Sequence, residues 1–179
     1  MEPRKYELKN GCVLLIREAG PEDARAVLDY VEDVSEETDF LTFGPGEFEL
    51  TVAAEEQVLR KYRDSDNQLY ILGLIDDTIV ATLSFSAGHR RRLRHSGEFG
   101  MSVRTQYWGL GIGSLMLDGL IHWARATQIV KKINLRVRTD NQRAIHLYER
   151  KGFVNEGTIR KEIFLNGTYF AQHWMGLEL

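Results

Sequence analysis

The chain is poor in the features that mark secreted and membrane proteins. Its 179 residues include one cysteine and three prolines, and no apolar run approaches the roughly 18 residues that a membrane-spanning helix needs. The single cysteine, Cys12, cannot form an internal disulfide, and it begins an apolar strand pattern that favours a buried position. Residues 1–5 lead into no apolar signal region. We therefore expect a cytoplasmic protein with no membrane partner.

A surplus of positive charge is also absent. The chain has 23 Lys and Arg residues against 26 Asp and Glu residues, a formal net charge of −3. General nucleic-acid-binding proteins are strongly basic, so we expect no nucleic-acid partner. The densest basic run, His89 to His95, lies between two predicted strands, and we interpret it as a solvated hairpin tip. With 43% hydrophobic side chains and no repeats, residues 1–179 are predicted to form a single domain.

The most informative segment is a glycine-rich run with the sequence Trp-Gly-Leu-Gly-Ile-Gly-Ser at residues 108–114. A strand-like stretch precedes it at residues 98–103, and an amphipathic helix follows it. Alternating glycines let a ligand approach the backbone closely, and the unpaired N–H groups of a helix's first turn attract an anion. The run therefore predicts a phosphate-binding loop.

Two common phosphate-binding loops do not match this run. A P-loop ends in Gly-Lys-Ser/Thr, but here Gly113 is followed by Ser114 with no lysine, so a nucleoside triphosphate is not expected. A dinucleotide-binding fold needs an acidic residue at the end of the next strand, and the strand predicted at residues 132–138 ends in basic residues. A dinucleotide-dependent oxidoreductase is therefore a disfavoured alternative.

Aligned on Gly111 and Gly113, the run resembles the acyl-CoA loop of the GNAT superfamily of acyl-CoA-dependent N-acetyltransferases, whose pattern is Gln/Arg-x-x-Gly-x-Gly/Ala ahead of a helix. Trp108 stands at the Gln/Arg position, as it does in branches of the superfamily with a Tyr-Trp-Gly sequence here. Residues 140–153 are similar to a second family signature, Asn-x-x-Ala-x-x-x-Tyr-x-x-x-Gly-Phe. The closing strands resemble those of ribosomal-protein and polyamine acetyltransferases, so the resemblance covers residues 12–179.

This resemblance implies acetyl-CoA as a co-substrate and no metal. The cofactor-binding residues it implies are Met101, Val103, Trp108, Gly109, Leu110, Gly111, Ile112, Gly113, Ser114, Asn141 and Arg143. Asn141 is also suited to cap the helix that follows it, and its two roles use different atoms.

Hydrophobic periodicity predicts an α/β (α+β) fold with about seven strands and about four helices in the order β-α-α-β-β-β-α-β-α-β-β. The resemblance implies a GNAT-like, mostly antiparallel sheet flanked by the helices. Residues 13–17, 69–75, 78–85, 97–103 and 132–138 are predicted strands, and residues 156–179 a hairpin that turns at Asn166-Gly167. A helix is predicted to start at Pro21, another to span Thr51 to Arg63, and residues 36–46 to form a loop.

Acetyl transfer to an amine first requires a neutral nucleophile. A lysine-like amine with a pKa near 10.4 is only about 0.04% neutral at pH 7, so a base or a desolvating pocket must remove its proton. Glu98 is our first candidate base, because the resemblance implies an acid on the strand before the glycine loop. A solvated strand carboxylate is the alternative interpretation of Glu98. His95 and His146 are less favoured candidates.

The reaction also needs donors for the developing oxyanion and a proton for the leaving thiolate. The resemblance implies that backbone groups of Met101 and Val103 bind the pantetheine arm and the thioester, a role compatible with core side chains. It aligns Tyr148 with the family's general acid, and a phenol is protonated at pH 7. The alternative for Tyr148 is a core position on the helix face that it shares with Ala144 and Leu147.

The sequence therefore predicts an N-acetyltransferase that moves an acetyl group from acetyl-CoA to a primary amine, a small molecule or a protein N-terminus, by direct transfer in a ternary complex. A non-catalytic acyl-CoA-binding module with the same fold is the alternative. The acceptor is not specified. Acids in and beside the 36–46 loop (Glu36, Glu37, Asp39 and Glu47) weakly favour a cationic amine, but a solvated acidic loop is the favoured interpretation of them. A homodimer is left open.

Overall fold

The computed structural model describes all 179 residues. It contains two hydrophobic cores, one on each face of a single sheet. The larger core lies between the sheet and the third and fourth helices, and the smaller one between the sheet and the first two helices. The elements in chain order are β1 (Arg4–Glu7), β2 (Val13–Glu18), α1 (Ala24–Glu37), α2 (Val52–Arg63), β3 (Gln68–Ile75), β4 (Thr78–Ala87), β5 (Ser96–Val103), α3 (Ile112–Thr127), β6 (Lys132–Arg138), α4 (Gln142–Arg150), β7 (Val154–Leu165) and β8 (Thr168–Glu178).

The eight strands form one sheet in the order β1-β2-β3-β4-β5-β6-β8-β7. Every neighbouring pair is antiparallel except β5 with β6, which is parallel. The predicted fold class and element order are confirmed, with one strand more than predicted. The additional strand, β1, has no burial alternation because it is an exposed edge strand that depends on its pairing with β2.

Local signals in the sequence set several element ends where we predict them. The Thr51 hydroxyl accepts a hydrogen bond from the Ala54 N–H at 3.2 Å, which caps α2. The Asn141 side chain accepts one from the Ala144 N–H at 3.2 Å, which caps α4. The closing hairpin turns at residues 166 and 167, which have φ angles of 48° and 78°. These caps and turns depend on neighbours in sequence, which is why a sequence pattern predicts them.

Helix α3 packs on the sheet through one apolar face, on which Met116, Leu117, Leu120 and Ala124 are fully buried. Cys12 is half-buried against the same core rather than fully buried, because it lies just before β2 begins. No helix of the structure combines the length and the apolar character needed to cross a bilayer.

Candidate active site

The site begins where two parallel strands separate. Strands β5 and β6 are paired only from Ser96 to Glu98, opposite Lys132 to Asn134. Beyond Glu98, β5 continues to Val103 along β4, while β6 pairs with β8 over its whole length. A gap therefore opens between the second half of β5 and β6. In a sheet, such a gap leaves main-chain groups without ladder partners and free to bind a ligand.

The hydrogen-bonding register shows which main-chain groups face this gap. The Arg104 N–H donates to the Val80 carbonyl at 3.0 Å, so this pair of β4 and β5 is a hydrogen-bonded one. Hydrogen-bonded and non-hydrogen-bonded pairs alternate along an antiparallel ladder, so the N–H and C=O groups of Met101 and Val103 point away from β4. The Val103 carbonyl accepts a hydrogen bond from the Trp108 indole N–H at 2.6 Å. Both main-chain groups of Met101 and the N–H of Val103 therefore face the gap.

The glycine run forms the predicted loop and helix start. Gly109 and Gly111 have φ angles of 83° and 90°, a left-handed region that other residues adopt only with strain. A Cβ atom at either position would meet no atom within 4 Å, so the space in front of the loop is open. The first N–H of α3 to find a backbone partner is that of Leu115, which donates to Gly111 at 3.1 Å, and no side chain caps the helix. The free N–H groups of this first turn belong to Ile112, Gly113 and Ser114.

Two apolar side chains of the loop, those of Leu110 and Ile112, pack against the larger core. Ile112 is 1% exposed in the larger core, and Leu110 packs against that core without lining the cavity described below. The prediction that Leu110 contacts the cofactor is therefore not supported for its side chain. A Cβ at Gly113 would lie 3.2 Å from Leu147 and 3.3 Å from Met101, so a glycine lets the helix start approach both β5 and α4.

Arg143 and Trp108 stand together beside the loop. The Arg143 guanidinium lies 4.2 Å from the centroid of the Trp108 ring, a cation–π contact that joins α4 to the loop. Burial lowers the pKa of Arg143, which makes no salt bridge with a protein carboxylate. At neutral pH this cation is consequently available to an anion bound at the loop.

Tyr148 is buried beneath the gap. Its ring packs edge-on against Phe99 of β5 and Phe153, with centroid separations of 5.8 Å and 5.9 Å. Burial raises the pKa of Tyr148 to about 12, and no neighbouring charge or hydrogen bond contributes to that shift. The phenol is therefore held in its protonated form, with its hydroxyl uncommitted to another protein group.

Glu98 lies on the other face of β5, which it shares with Gly100 as the strand alternation predicts. Its carboxylate accepts hydrogen bonds from Arg136 of β6 at 2.8 Å and 3.4 Å. Arg136 also donates to Glu162 at 3.2 Å, and its bond to Glu98 is the main reason that the pKa of Arg136 is raised. Glu98 is thus an ion-paired residue, and an incoming ammonium group would compete with Arg136 for it.

A single cavity of about 1010 Å³ connects these groups. Its lining includes the glycine loop, the gap and α4, and also α1, α2 and residues 38–50. All the predicted site residues except Leu110 line this cavity, whereas the alternative bases His95 and His146 do not. The cavity thus reaches from the glycine loop along β5 to α2.

The end of the cavity remote from the glycine loop has a polar floor and an aromatic wall. Tyr70, Ser84 and Gly100 lie in one row across β3, β4 and β5. The rings of Phe43 and Phe48, 5.3 Å apart, contribute to the wall. We call the region lined by Tyr70, Ser84, Gly100, Phe43 and Phe48 the remote end.

The acids that the sequence offers for a cationic acceptor do not line the cavity. Glu37 ends α1 and accepts hydrogen bonds from the N–H and hydroxyl of Thr105 at 2.7 Å and 3.1 Å. Glu47 accepts one from the Gly44 N–H at 2.7 Å. The weak preference for a cationic amine therefore gains no support from these acids, and at least two of them hold the chain's own backbone.

Five charged residues that sequence reasoning missed line the cavity instead: Glu55, Arg136, Arg138, Asp140 and Arg150. Arg138 is 6% exposed, binds Asp140, and lies 3.7 Å from the ring centroid of Phe170. Arg136 holds Glu98, as described above. Glu55 of α2 is 2% exposed and is discussed below. The sequence could have indicated Glu55, because this acid stands at helical spacing from the apolar residues Leu59 and Tyr62, on the face of α2 that is predicted to be buried.

Comparison with known proteins agrees with this geometry. The model of the acetyltransferase (GNAT) family matches residues 28–153, which include β5, the glycine loop and the α4 signature. The chain belongs to the GNAT acetyltransferase family. A solved GNAT-family acetyltransferase from Streptococcus pneumoniae superposes with a TM-score of 0.91 and 36% identity, covering 93% of this chain and 99% of that one.

Two curated relatives of this GNAT chain are similar over shorter stretches. The L-amino acid N-acetyltransferase AaaT of Escherichia coli (strain K12) is 30% identical over 105 residues, which are 59% of this chain and 65% of the relative. A spermidine N(1)-acetyltransferase of Vibrio cholerae is 29% identical over 110 residues, which are 62% of this chain and 58% of the relative. The chain thus spans less than two thirds of the length of either relative.

Proposed function

We propose that this GNAT-family protein transfers an acetyl group from acetyl-CoA to a primary amine, directly and within a ternary complex. The observation that carries the proposal is the one cavity whose two ends meet at the opened strand β5, above Tyr148. Direct transfer between two reactants bound in one cavity requires no covalent acetyl-enzyme. The proposal also agrees with the amine acceptors in the names of the curated relatives, an L-amino acid and spermidine.

The cofactor end of the cavity has the chemistry that a CoA pyrophosphate requires. Open space lies in front of Gly109 and Gly111. The free N–H groups of the first turn of α3 form the positive end of the helix dipole, which attracts an anion. Arg143 adds an unpaired cation. The main-chain groups of Met101 would pair with the pantetheine amides as a further strand would. Bound here, acetyl-CoA supplies the activated acetyl thioester.

Two of this chain's groups then act on the reacting atoms. A main-chain N–H that faces the gap, at Met101 or Val103, stabilises the negative charge that develops on the thioester oxygen. Tyr148, kept protonated by its burial, donates its proton to the departing sulfur. Both groups belong to ordered elements, the strand β5 and the helix α4, which would keep reorganisation during the proposed reaction small.

Glu98 is our candidate for removing the amine proton, through a water molecule. Arg136 fixes the Glu98 carboxylate beside the gap and keeps it from rotating. Because that carboxylate is already ion-paired, we expect Glu98→Gln to lower kcat by less than a change at Tyr148 does. If Glu98→Gln lowers kcat more than Tyr148→Phe does, this order of importance is reversed.

Thiol release from acetyl-CoA tests the function most directly. It is followed across polyamines, amino acids, aminoglycosides and short peptides, while calorimetry measures the binding of acetyl-CoA alone. We expect binding without an amine, and thiol release only with one. Binding without release from any amine would support a non-catalytic acyl-CoA-binding module instead, and failure to bind would overturn the interpretation of the glycine loop.

A further inference from the structure

Glu55 is a buried acid without a partner. It lies in the first turn of α2, is 2% exposed, and lines the cavity. Its carboxylate takes part in none of the chain's salt bridges, and burial alone raises the pKa of Glu55. A buried carboxylate without a counter-ion destabilises a protein unless something else compensates it. A cationic ligand in the cavity would supply the missing counter-charge.

The other acids that line the cavity are already neutralised. Glu98 is paired with Arg136, and Asp140 with Arg138. At the cofactor end, by contrast, the cation Arg143 has no salt-bridge partner. The cavity is therefore polarised, with free positive charge where phosphates would bind and one free negative charge, that of Glu55, at the remote end.

The fold also sets how far Glu55 stands from the reaction. Val58 and Tyr62 line the cavity with it, so one face of α2 covers the remote end. The Tyr62 ring packs against Tyr70 of β3 with centroids 5.5 Å apart. Burial and, to a smaller extent, the nearby Glu55 charge raise the pKa of both tyrosines. Tyr70 is two strands away from Gly100, which is about 10 Å at the usual strand spacing. Glu55 is therefore placed for a second nitrogen of the acceptor rather than for the one that reacts at β5.

We propose that Glu55 is the binding site for a second, positively charged nitrogen of the acceptor, so that the protein selects diamines and polyamines over monoamines. The inference rests on the proposed function, since it names the class of amine that the remote end takes. Hydroxyl oxygens on the floor of the remote end, such as that of Ser84, can accept hydrogen bonds from an ammonium group. The same carboxylate repels acceptors whose far end is anionic.

Three four-carbon probes test this selectivity: 1,4-diaminobutane, n-butylamine and 4-aminobutanoate. Calorimetry measures their binding to the protein saturated with CoA, which needs no turnover, and thiol release gives kcat and KM separately. The variant is Glu55→Gln, which keeps the side-chain shape. Glu56→Gln is the matched control, because it removes the same charge from the exposed neighbouring position.

We expect the native protein to bind the diamine most tightly. Glu55→Gln should raise Kd and KM for the diamine at least about tenfold, leave n-butylamine within about twofold, and leave kcat and acetyl-CoA binding unchanged. Glu56→Gln should resemble the native protein. Equal losses for diamine and monoamine, or no loss for the diamine, would overturn the role of Glu55.

The binding and turnover measurements separate the two proposals. Binding of the diamine that depends on Glu55 but yields no acetylated product would support this site and refute acetyl transfer. Acetylation of all three probes with equal KM would support acetyl transfer and refute the Glu55 site. If none of the probes binds or reacts, both the site and the acceptor class are wrong.

Discussion

Tyr148 combines a buried aromatic ring with a hydroxyl that makes no hydrogen bond within the protein. Its ring is held by Phe99 and Phe153, so its position does not depend on a hydrogen bond from the phenol. The packing function and the proposed chemical function therefore use different atoms of one side chain. The sequence signature favours the chemical role, and the packing explains why a tyrosine there is also stable.

We predict that Tyr148→Phe lowers kcat about 100-fold, because it removes the proton donor for the departing sulfur. Its ring contacts stay, so the unfolding midpoint and the calorimetric Kd for acetyl-CoA should change little. Steady-state kinetics and a thermal melt of the same sample check this. An unchanged kcat with a lowered melting temperature would instead assign Tyr148 to the core alone.

At Arg143, we expect Arg143→Ala to weaken acetyl-CoA binding about tenfold, because an unpaired cation beside the glycine loop is lost. The matched probe is acetyl-pantetheine, which carries the thioester without phosphates, and its KM should be the same in both proteins. If Arg143→Ala weakens the binding of acetyl-CoA and of acetyl-pantetheine equally, Arg143 supports the loop through Trp108 and does not bind phosphate.

At the level of elements, a helix start and an opened strand make the site, and each depends on a glycine. Gly111 lets the chain enter α3 with a left-handed residue, which presents the first-turn N–H groups to the cavity. Gly100 leaves the surface of β5 bare where an acceptor would approach, since a Cβ there would meet nothing within 4 Å. The two positions should therefore affect different substrates.

Gly111→Ala should destabilise the fold by about 1–2 kcal/mol and raise the Kd for acetyl-CoA, because alanine is strained at a φ of 90°. Gly119→Ala is the control within the same helix, where a new Cβ would make only ordinary contacts, the nearest 3.6 Å from Ile71. Urea unfolding and calorimetry compare the two variants. Equal effects would mean that any added methyl group in α3 is harmful, whatever the backbone angle.

Gly100→Leu should abolish acetylation of the amine while leaving acetyl-CoA binding within about twofold, because the leucine would fill the acceptor side of β5. Gly157→Leu in β7 is the control, since a Cβ there also meets nothing within 4 Å but lies outside the cavity. Activity that survives in Gly100→Leu would place the acceptor elsewhere.

At the scale of the whole molecule, buried tyrosines link stability to alkaline pH. Burial raises the pKa of Tyr30 and Tyr148 to about 12, and that of Tyr70 in the same direction. In the unfolded chain a tyrosine ionises near pH 10. The native state therefore holds more protons above pH 10, so this stability is complete below pH 10 and is lost as the pH rises towards 12.

We expect the free energy of unfolding to fall above pH 10, by about 1.4 kcal/mol per pH unit for each such tyrosine. Urea unfolding at pH 9, 10 and 11 measures the slope. Tyr148→Phe removes one titrating group and should make the slope shallower by about that amount. Parallel slopes for the two proteins would show that Tyr148 ionises equally in both states.

The sequence by itself determined the features that depend on neighbours along the chain. The caps at Thr51 and Asn141, the turn at Asn166 and the left-handed glycines of the loop follow from local backbone preferences. The alternation along β5 likewise placed Glu98 on the face of Gly100. The family signatures added Tyr148 and the expected order of elements.

Only the tertiary structure decided which of these residues share a cavity and which charges are free. Strand β1 forms because β2 offers it an edge, and the pairing of Arg136 with Glu98 brings together residues 38 positions apart. Glu37 turned out to bind Thr105, whereas Glu55 turned out to be unpaired in the cavity. Composition and spacing cannot show this, because the pairing of a charge depends on strand order and helix packing between segments that are far apart in the chain.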